Sequence, residues 1–429
     1  MEISDLMARR KRLLGPNVAT FYEEPVHIVK GRGVWLWDSA GRRYLDCYNN
    51  VPHVGHCHPK VVAAIAGQAA VLNTHTRYVH AGILDYVEAL TAKFDESLCS
   101  AIMVCSGSEA NDVALRMAQA ATGHKGIIAT DRAYHGNTAA VSQLTAYRSP
   151  VGTRADHVAH IPAPDSLRPL GGQSGAGFAA AFTHAVEKAI TDLRNSGHGV
   201  SALIVCPFFA NEGFPDLPRG FLDGALAAVR AAGGVIIADE VQPGFGRIGS
   251  HWWGHERIGF TPEIVTLGKP MANGHPVAAV VAQRDMLAAF RSGFGYFNTF
   301  GGNPVSCAAA MAVLEIIESE RLVDNARNVG GYALSRLAEL KTAHPVIGNV
   351  RGSGLFFGVE LVLDNAMTPA TKFTTGIVEA MRQRGILLNS LGHGDATLKI
   401  RPPMVFSRDN ADLLVDTLDQ VLRETPVVA

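Results

Sequence analysis

Short apolar runs alternate with longer amphipathic stretches through the middle of the chain. Five such runs, rich in β-branched and small apolar residues, lie at 101–105, 126–129, 201–205, 234–238 and 263–267. Near-continuous apolarity is typical of parallel strands that are covered by helices on both faces. Because helical spacing fills the stretches between the runs, we predict an α/β core with a mostly parallel sheet over about residues 56–310.

The segments on either side of this core carry other patterns. Alternating runs at 33–38 and 43–46 surround a glycine-containing turn and predict a hairpin. Within the first part of the core, helical spacing is seen at 60–74 and 80–98. Further helical spacing is seen at 308–320 and 324–341, followed by a strand-like run at 355–361 and a closing helix at 408–424. We predict that residues 1–55 and 311–429 pack together as a smaller α+β domain beside a large domain of residues 56–310.

Composition limits the partners of this fold. The chain has 429 residues, 47% hydrophobic and 18% charged, which is enough apolar content for one large domain or two. Its 38 basic and 39 acidic residues give a net charge of -1 and form no block of like charge. This argues against nucleic acid or an anionic membrane surface as a partner.

Neither targeting nor disulfide signals are visible. No apolar stretch follows the mixed charges of residues 1–12, so we expect no signal peptide, and Arg230 interrupts the most apolar region, 224–238, well short of a membrane span. The six cysteines lack CxxC spacing. We expect them to be reduced core cysteines of a cytoplasmic protein, with no zinc site.

Ligands of open parallel sheets bind at the carboxyl ends of the strands. The run 101–105 leads into Ser106-Gly107-Ser108 and an amphipathic helix up to about Ala121. Gly107 permits close backbone approach and Ser108 is a good N-cap, so free N–H groups would face an anion there. Ordinary helix capping is the alternative interpretation.

Two further strand ends carry a carboxylate and an amine. Asp239 ends the run 234–238, and Lys269 follows the run 263–267 through Gly268. Asp239 alone is also compatible with a loop acid or a metal ligand, and Lys269 alone with a surface lysine. Together with an anion-binding helix start they match pyridoxal phosphate, with its phosphate at the helix, its ring nitrogen at Asp239 and its aldehyde on Lys269 as a Schiff base.

From about residue 31 to 403 the chain resembles the class III aminotransferases, a fold-type-I pyridoxal-phosphate family whose active sites form between two subunits. The resemblance rests on motifs in this order: 55–59 (GHCHP), 106–111 (SGSEAN), 134–136 (YHG), 239–242 (DEVQ), 244–247 (GFGR), Lys269, 299–304 (TFGGNP) and 399–403 (KIRPP).

This resemblance implies a role for individual residues. Gly107 and Ser108 would hold the cofactor phosphate, Tyr134 would stack on the ring, and Asp239 would pair with the ring nitrogen. Gln242 would lie near the ring hydroxyl, Lys269 would carry the cofactor, and Arg401 would bind a substrate carboxylate. Thr299 would reach the phosphate of the neighbouring subunit's cofactor, which implies a homodimer with shared active sites.

Three segments, 49–56, 72–78 and 296–299, are similar to the ethanolamine-phosphate phospho-lyase branch of the family. We nominate Arg77, within Asn73–Tyr78, as a ligand of the substrate phosphate together with Arg401, and Tyr78 as a further substrate contact. Aminotransferases of the family often carry Glu-Pro after the strand at 201–205 and a second glutamate that masks the arginine. Here Cys206-Pro207 replaces Glu-Pro, and either Asn211 or a shifted Glu212 stands in the second position.

The hypothesis that follows is a pyridoxal-phosphate lyase. It would eliminate phosphate from a small phosphorylated amine of the phosphoethanolamine or phosphohydroxylysine type, giving an aldehyde and ammonia. The first alternative is an ω-aminotransferase that transfers an amino group to pyruvate or 2-oxoglutarate. The second is a non-catalytic paralogue that acts as a binding or scaffold protein, which the intact Lys269 and Asp239 disfavour.

Overall fold

A large seven-stranded sheet lies at the centre of the fold, and two four-stranded sheets flank it. The computed structural model describes residues 3–146 and 154–427. Its strands are β1 (Ile28–Arg32), β2 (Trp35–Asp38), β3 (Arg43–Asp46), β4 (Ser100–Val104), β5 (Ile127–Thr130), β6 (Val158–Ile161), β7 (Ala202–Val205), β8 (Val235–Asp239), β9 (Ile264–Leu267), β10 (Ala278–Ala282), β11 (Ile347–Ser353), β12 (Phe356–Leu361), β13 (Ile386–Leu387), β14 (Asn389–Leu391) and β15 (Thr397–Ile400).

Helices connect these strands and cover the sheets. They are α1 (Ile3–Leu14), α2 (Pro59–Ala69), α3 (Ala81–Thr91), α4 (Gly107–Thr122), α5 (Ala139–Ser142), α6 (Gly175–Asn195), α7 (Asp223–Ala231), α8 (Gly254–Ile258), α9 (Arg284–Gly293), α10 (Pro304–Ser319), α11 (Leu322–Ala343), α12 (Thr371–Gln383) and α13 (Arg408–Glu424). Among the described residues, no helix combines the length and the apolarity needed to cross a membrane.

The large sheet has the strand order β4-β10-β9-β8-β7-β5-β6. The pairs from β9 through β6 are parallel, whereas β10 runs antiparallel to both of its neighbours. The five predicted strands are β4, β5, β7, β8 and β9, so the prediction of a mostly parallel sheet is confirmed. β6 and β10 were not predicted, and β10 is rich in alanine, which has little preference for strands.

Alternate residues of the central strands enter two different cores. On β7, Ala202 and Ile204 pack in the cluster that includes α4, while Leu203 and Val205 pack in the cluster that includes α6 and α7. Successive side chains of a strand point to opposite faces, so both faces of the sheet are buried. This explains why the run appeared continuously apolar in the sequence.

The N-terminal and C-terminal segments share a sheet. β2 and β3 form the predicted hairpin, with Trp35 opposite Leu45, and β13 from the C-terminal segment pairs with β3 in parallel. This pairing supports a smaller domain made from both ends of the chain. The boundaries at residues 55 and 310 stay a prediction.

Several local expectations need correction. α4 is capped by Ser106 and begins at Gly107, so Ser108 is not the N-cap. α2 and α3 end at Ala69 and Thr91, earlier than their apolar spacing suggested. All six cysteines are free, but only Cys47, Cys206 and Cys307 are buried, and Cys57 is exposed; the expectation that every cysteine lies in the core is therefore wrong.

Candidate active site

The start of α4 presents free backbone amides at the carboxyl edge of the large sheet. The Ser106 hydroxyl accepts a hydrogen bond from the N–H of Glu109 at 3.2 Å, which caps the helix. Within the described residues, the N–H groups of Gly107 and Ser108 donate to no acceptor. Unpaired amides at the positive end of a helix dipole are suited to an anion, and the binding role of Gly107 and Ser108 stays a prediction.

Three strand ends approach each other closely around Gly107. A Cβ atom on Gly107 would lie 3.1 Å from the Val241 side chain, and one on Gly268 would lie 3.3 Å from the Gly107 Cα atom. Glycine permits this approach because it has no side chain. Since Gly268 precedes Lys269 and Val241 follows Asp239 by two residues, the structure brings the predicted anion site, carboxylate and amine together.

Asp239 is held by a buried hydrogen-bond network and is only 5% exposed. Its Oδ2 atom accepts from His135 Nδ1 at 2.7 Å and from Asn111 Nδ2 at 3.0 Å, while Oδ1 accepts from the N–H of Val241 at 3.1 Å. The Thr266 hydroxyl donates to Asn111 Oδ1 at 2.7 Å. Because Oδ1 accepts only this one hydrogen bond, it still has a lone pair that can accept a hydrogen bond from a protonated ring nitrogen.

Sequence reasoning missed the residues that position Asp239. In the sequence, His135 and Asn111 stand out only as members of the motifs 134–136 and 106–111, and Thr266 only as a residue of a strand. One signal was available for Asn111, because this polar residue lies on the buried face of α4 beside Ala110 and Ala114. A buried polar side chain needs a hydrogen-bond partner, and the partner of Asn111 is the predicted site residue Asp239.

Tyr134 lies at the beginning of a loop that packs against the start of α4. A Cβ atom on Gly136 would lie 2.6 Å from the Ser108 hydroxyl oxygen, and that oxygen accepts from the N–H of Asn137 at 3.2 Å. The Tyr134 side chain itself is exposed. This position leaves its ring free to stack, and the stacking role stays a prediction.

Lys269 is an amine whose protonation is disfavoured. Part of the Lys269 residue is open to solvent, but its amine is closely surrounded by protein. The resulting desolvation lowers the pKa of Lys269 below its ordinary value. The charge of Arg401 lowers this pKa further, and Asp239 opposes the change. A larger neutral fraction makes the amine a better nucleophile toward an aldehyde.

Gln242 connects two buried cations. Its Oε1 atom accepts from Arg401 Nη1 at 2.6 Å and from Lys399 Nζ at 2.9 Å, and its Nε2 atom donates to Asn211 Oδ1 at 3.3 Å. Arg401 also donates to the carbonyl oxygen of Tyr48 at 2.7 Å. Lys399 was quoted in a family motif and given no role, so this second cation is new.

The two candidates for the position of the masking acid make different contacts. Glu212 is buried and accepts from the Thr130 hydroxyl at 2.7 Å and from the N–H of Asn211, and burial raises its pKa. Asn211, not Glu212, contacts the Gln242 cluster. In the described part of the chain, Arg401 forms no ion pair with a carboxylate.

Two of the remaining predicted residues, Arg77 and Tyr78, line another cavity. Arg77 and Tyr78 line a cavity of about 570 Å³ together with Phe297, and the Arg77 guanidinium carbon lies 3.8 Å from the centre of the Phe297 ring. Thr299 is exposed two residues beyond Phe297. Within a single chain, the structure places Arg77 and Tyr78 together in this cavity, and the roles of Arg77, Tyr78 and Thr299 at the active site stay predictions.

The fold and the strand-end chemistry define a pyridoxal-phosphate-dependent enzyme. The family model described as aminotransferase class-III matches residues 18–422, and the chain therefore belongs to the class III aminotransferase family. The resemblance found in the sequence and the fold-type-I prediction are confirmed.

Relatives within the family have different activities in their names. A Drosophila melanogaster protein named alanine–glyoxylate aminotransferase 2-like is 42% identical over 416 residues, covering 94% of this chain and 84% of that protein. A Caenorhabditis elegans protein named ethanolamine-phosphate phospho-lyase homolog 1 is 37% identical over 436 residues, covering 97% and 93%. Among solved structures, a phospholyase from Arthrobacter in complex with phosphoethanolamine is 43% identical, with a TM-score of 0.94 and coverage of 98% and 100%.

Proposed function

We propose that this enzyme is a phospho-lyase that acts on a small phosphorylated amine of the phosphoethanolamine or phosphohydroxylysine type. With water, the substrate would yield an aldehyde, ammonia and inorganic phosphate. The observation that carries the proposal is Asn211 at the place of a masking acid, which leaves the buried Arg401 without a carboxylate partner in the described structure. An arginine that is always available suits an enzyme whose only substrate is an anion.

The cofactor fits the residues that are present. The free amides of Gly107 and Ser108 suit its phosphate, Asp239 Oδ1 suits its ring nitrogen, and the Lys269 amine suits its aldehyde. When bound, pyridoxal phosphate supplies an electron sink for charge that develops at the amine-bearing carbon.

The residues of the chain would then carry out the elimination. With the cofactor bound, the free Lys269 amine would take the proton from the amine-bearing carbon of the substrate. The bond between the neighbouring carbon and the phosphate oxygen breaks, and its electron pair leaves with the phosphate. Asp239, fixed by His135 and Asn111, holds the ring nitrogen in its protonated form throughout.

A second copy of the chain completes the proposed site. Exposed apolar side chains line the cavity of Arg77, including Val79 at 95% exposure, Leu84 and Phe297. A large exposed apolar patch is typical of a protein interface. In a homodimer, this face would present Arg77, Tyr78 and Thr299 to the partner's substrate and cofactor. The cytoplasmic location of the enzyme is likewise a prediction.

A specific observation favours the alternative of an ω-aminotransferase that uses pyruvate or 2-oxoglutarate. Relatives at 42% and 35% identity carry the name of alanine–glyoxylate aminotransferases. Arg401 would serve an oxo acid carboxylate as well as a phosphate, because a guanidinium group binds both in a bidentate manner.

One assay separates the two activities. The holoenzyme is incubated with phosphoethanolamine without any oxo acid, and released phosphate is measured, with ethanolamine as the substrate control and Lys269→Ala as the enzyme control. We expect stoichiometric phosphate and aldehyde from the wild type alone. Amino transfer to pyruvate without any phosphate release would contradict the lyase proposal and establish the alternative.

A further inference from the structure

Lys399 lies on β15 and Arg401 directly follows the last residue of that strand, and both side chains donate to the same oxygen of Gln242. β15 ends at Ile400, and Lys399 pairs with Gly358 of β12 and with Asn389 of β14. Residues two apart along extended chain point to the same side. Leu398, which precedes Lys399, and Ile400, which lies between Lys399 and Arg401, point to the other side and pack in the apolar core. The chain therefore places two cations side by side at the cluster around Gln242.

Lys399 is buried and forms no ion pair among the described residues. It is 4% exposed, and its Nζ atom donates only to neutral amide oxygens, Gln242 Oε1 at 2.9 Å and Asn211 Oδ1 at 3.2 Å. No carboxylate among residues 3–146 and 154–427 forms an ion pair with it. Lysine is almost never fully buried unless it is paired, because desolvation of its ammonium group is unfavourable.

Positive charge exceeds negative charge around this amine. Burial and the charges of Arg401 and Lys269 hold the pKa of Lys399 well below its ordinary value. The carboxylate that opposes these charges is Glu212, which already accepts hydrogen bonds from the Thr130 hydroxyl and the N–H of Asn211 and whose own pKa is raised by burial. An anion bound between Lys399 and Arg401 would remove this imbalance.

An anion can reach this amine from solvent. Lys399 lines a cavity of about 530 Å³, whose other lining residues include Tyr48, Arg132 and Asn211. The lining is mostly polar and contains a second basic side chain, Arg132, beside one carboxylate, Asp395. These features suit a charged ligand better than an apolar one.

We propose that Lys399 is a substrate ligand that binds the phosphate group together with Arg401 and makes the site prefer a dianion to a monoanion. This inference rests on the proposed lyase function and deepens it. A carboxylate is satisfied by the guanidinium of Arg401 alone, whereas a phosphate dianion offers a second charge and further oxygen atoms for the ammonium group of Lys399.

The test measures anion binding to the holoenzyme, in which the amides at the start of α4 are occupied by the cofactor. Isothermal titration gives the Kd of inorganic phosphate and of acetate for the wild type, Lys399→Met, Lys399→Arg and Lys188→Met. Lys188, which pairs with Asp192 on an exposed helix face, is the matched surface control. Methionine keeps the length of the side chain, and an apolar replacement of a buried charge is generally tolerated by the fold.

We expect Lys399→Met to weaken phosphate binding by on the order of ten- to a hundredfold, the range of one hydrogen bond to a charged group, and to change acetate binding by less than about threefold. Lys399→Arg and Lys188→Met should keep the preference for phosphate. Unchanged phosphate binding in Lys399→Met, or an equal loss for both anions, would overturn the inference. If Lys399→Met does not fold, Lys399→Arg decides, and loss of the preference in that variant overturns it as well.

The inference and the proposed function fail in different experiments. Phosphate release from phosphoethanolamine by the wild type, combined with wild-type phosphate binding by Lys399→Met, rejects the role of Lys399 and keeps the lyase. Phosphate binding that depends on Lys399, combined with no phosphate release from phosphoethanolamine, rejects the lyase and keeps the anion site.

Discussion

Restoring the missing acid at Asn211 should inactivate the phosphate site. Asn211 Oδ1 lies 3.2 Å from Lys399 Nζ, and Gln242 links both residues to Arg401. Glutamate is one methylene longer than asparagine, so the carboxylate of Asn211→Glu would contact Lys399 and approach Arg401. The substitution changes the charge of the cluster without removing any of its cations.

The size of the effect follows from the electrostatics of this cluster. Two unit charges 4 Å apart attract by about 4 kcal/mol at an effective dielectric constant of about 20. A substrate phosphate would have to displace the new carboxylate from at least one cation and would regain part of that energy by its own contacts. We therefore expect a loss of about 2–4 kcal/mol, which is roughly a 30- to 1,000-fold decrease in kcat/KM.

The assay is the release of phosphate from phosphoethanolamine, and Asn211→Gln is the matched control. Glutamine has the length of glutamate but no charge, so this variant should stay within about fivefold of the wild type in kcat/KM. If Asn211→Glu keeps wild-type kcat/KM, or if the glutamine variant loses as much, charge at this position does not control phosphate binding and the argument is wrong.

Four other changes test separate parts of the structure. Lys269→Ala should remove the borohydride-reducible link between enzyme and pyridoxal phosphate, and a link that persists would place it on another lysine. Asp239→Asn should lower turnover by several orders of magnitude while cofactor stays bound through Gly107 and Ser108, and near-normal turnover would make Asp239 a structural acid. Arg77→Ala should cost phosphate elimination about 2–4 kcal/mol and affect plain amines far less, whereas equal losses would exclude a phosphate contact. Burial lowers the pKa of His53 well below 6.5, so the contribution of neutral His53 to stability is complete above pH 6.5 and is lost as the pH falls toward the lowered pKa. His53→Gln should therefore flatten the decline of the urea unfolding midpoint at acidic pH. An unchanged slope would assign the decline to other groups.

The sequence could predict the large sheet because its strands are buried on both faces. β7, β8 and β9 consist almost entirely of buried apolar residues, and their order along the chain matches the parallel pairing. β10 escaped detection because Ala278 and Ala279 carry little strand preference, and its place in the sheet comes from pairing with β4 and β9. Pairing between distant segments leaves no local signal.

The residues that hold the site together were harder to find than the residues that do the chemistry. Asp239 and Lys269 stand at strand ends, where a polar residue after an apolar run is conspicuous. His135 and Asn111 reach Asp239 from a loop and a helix that lie 104 and 128 residues away in the chain. Only the folded arrangement shows that these side chains share one carboxylate.

The charges around Gln242 connect the departures of this chain from the aminotransferase pattern. Cys206-Pro207 stands where many relatives carry Glu-Pro, Cys206 is buried, and burial raises the pKa of its thiol well above its usual value, so no negative charge is supplied there. Asn211 supplies none either, while Lys399 adds a cation. An enzyme that alternates between an amine and an oxo acid needs an arginine that can be masked and released, whereas a lyase needs to hold one anion until its bond to carbon breaks. The absence of negative charge at Cys206 and Asn211 and the cation of Lys399 act in the same direction at this cluster, which favours a phosphate that stays bound until its bond to carbon breaks.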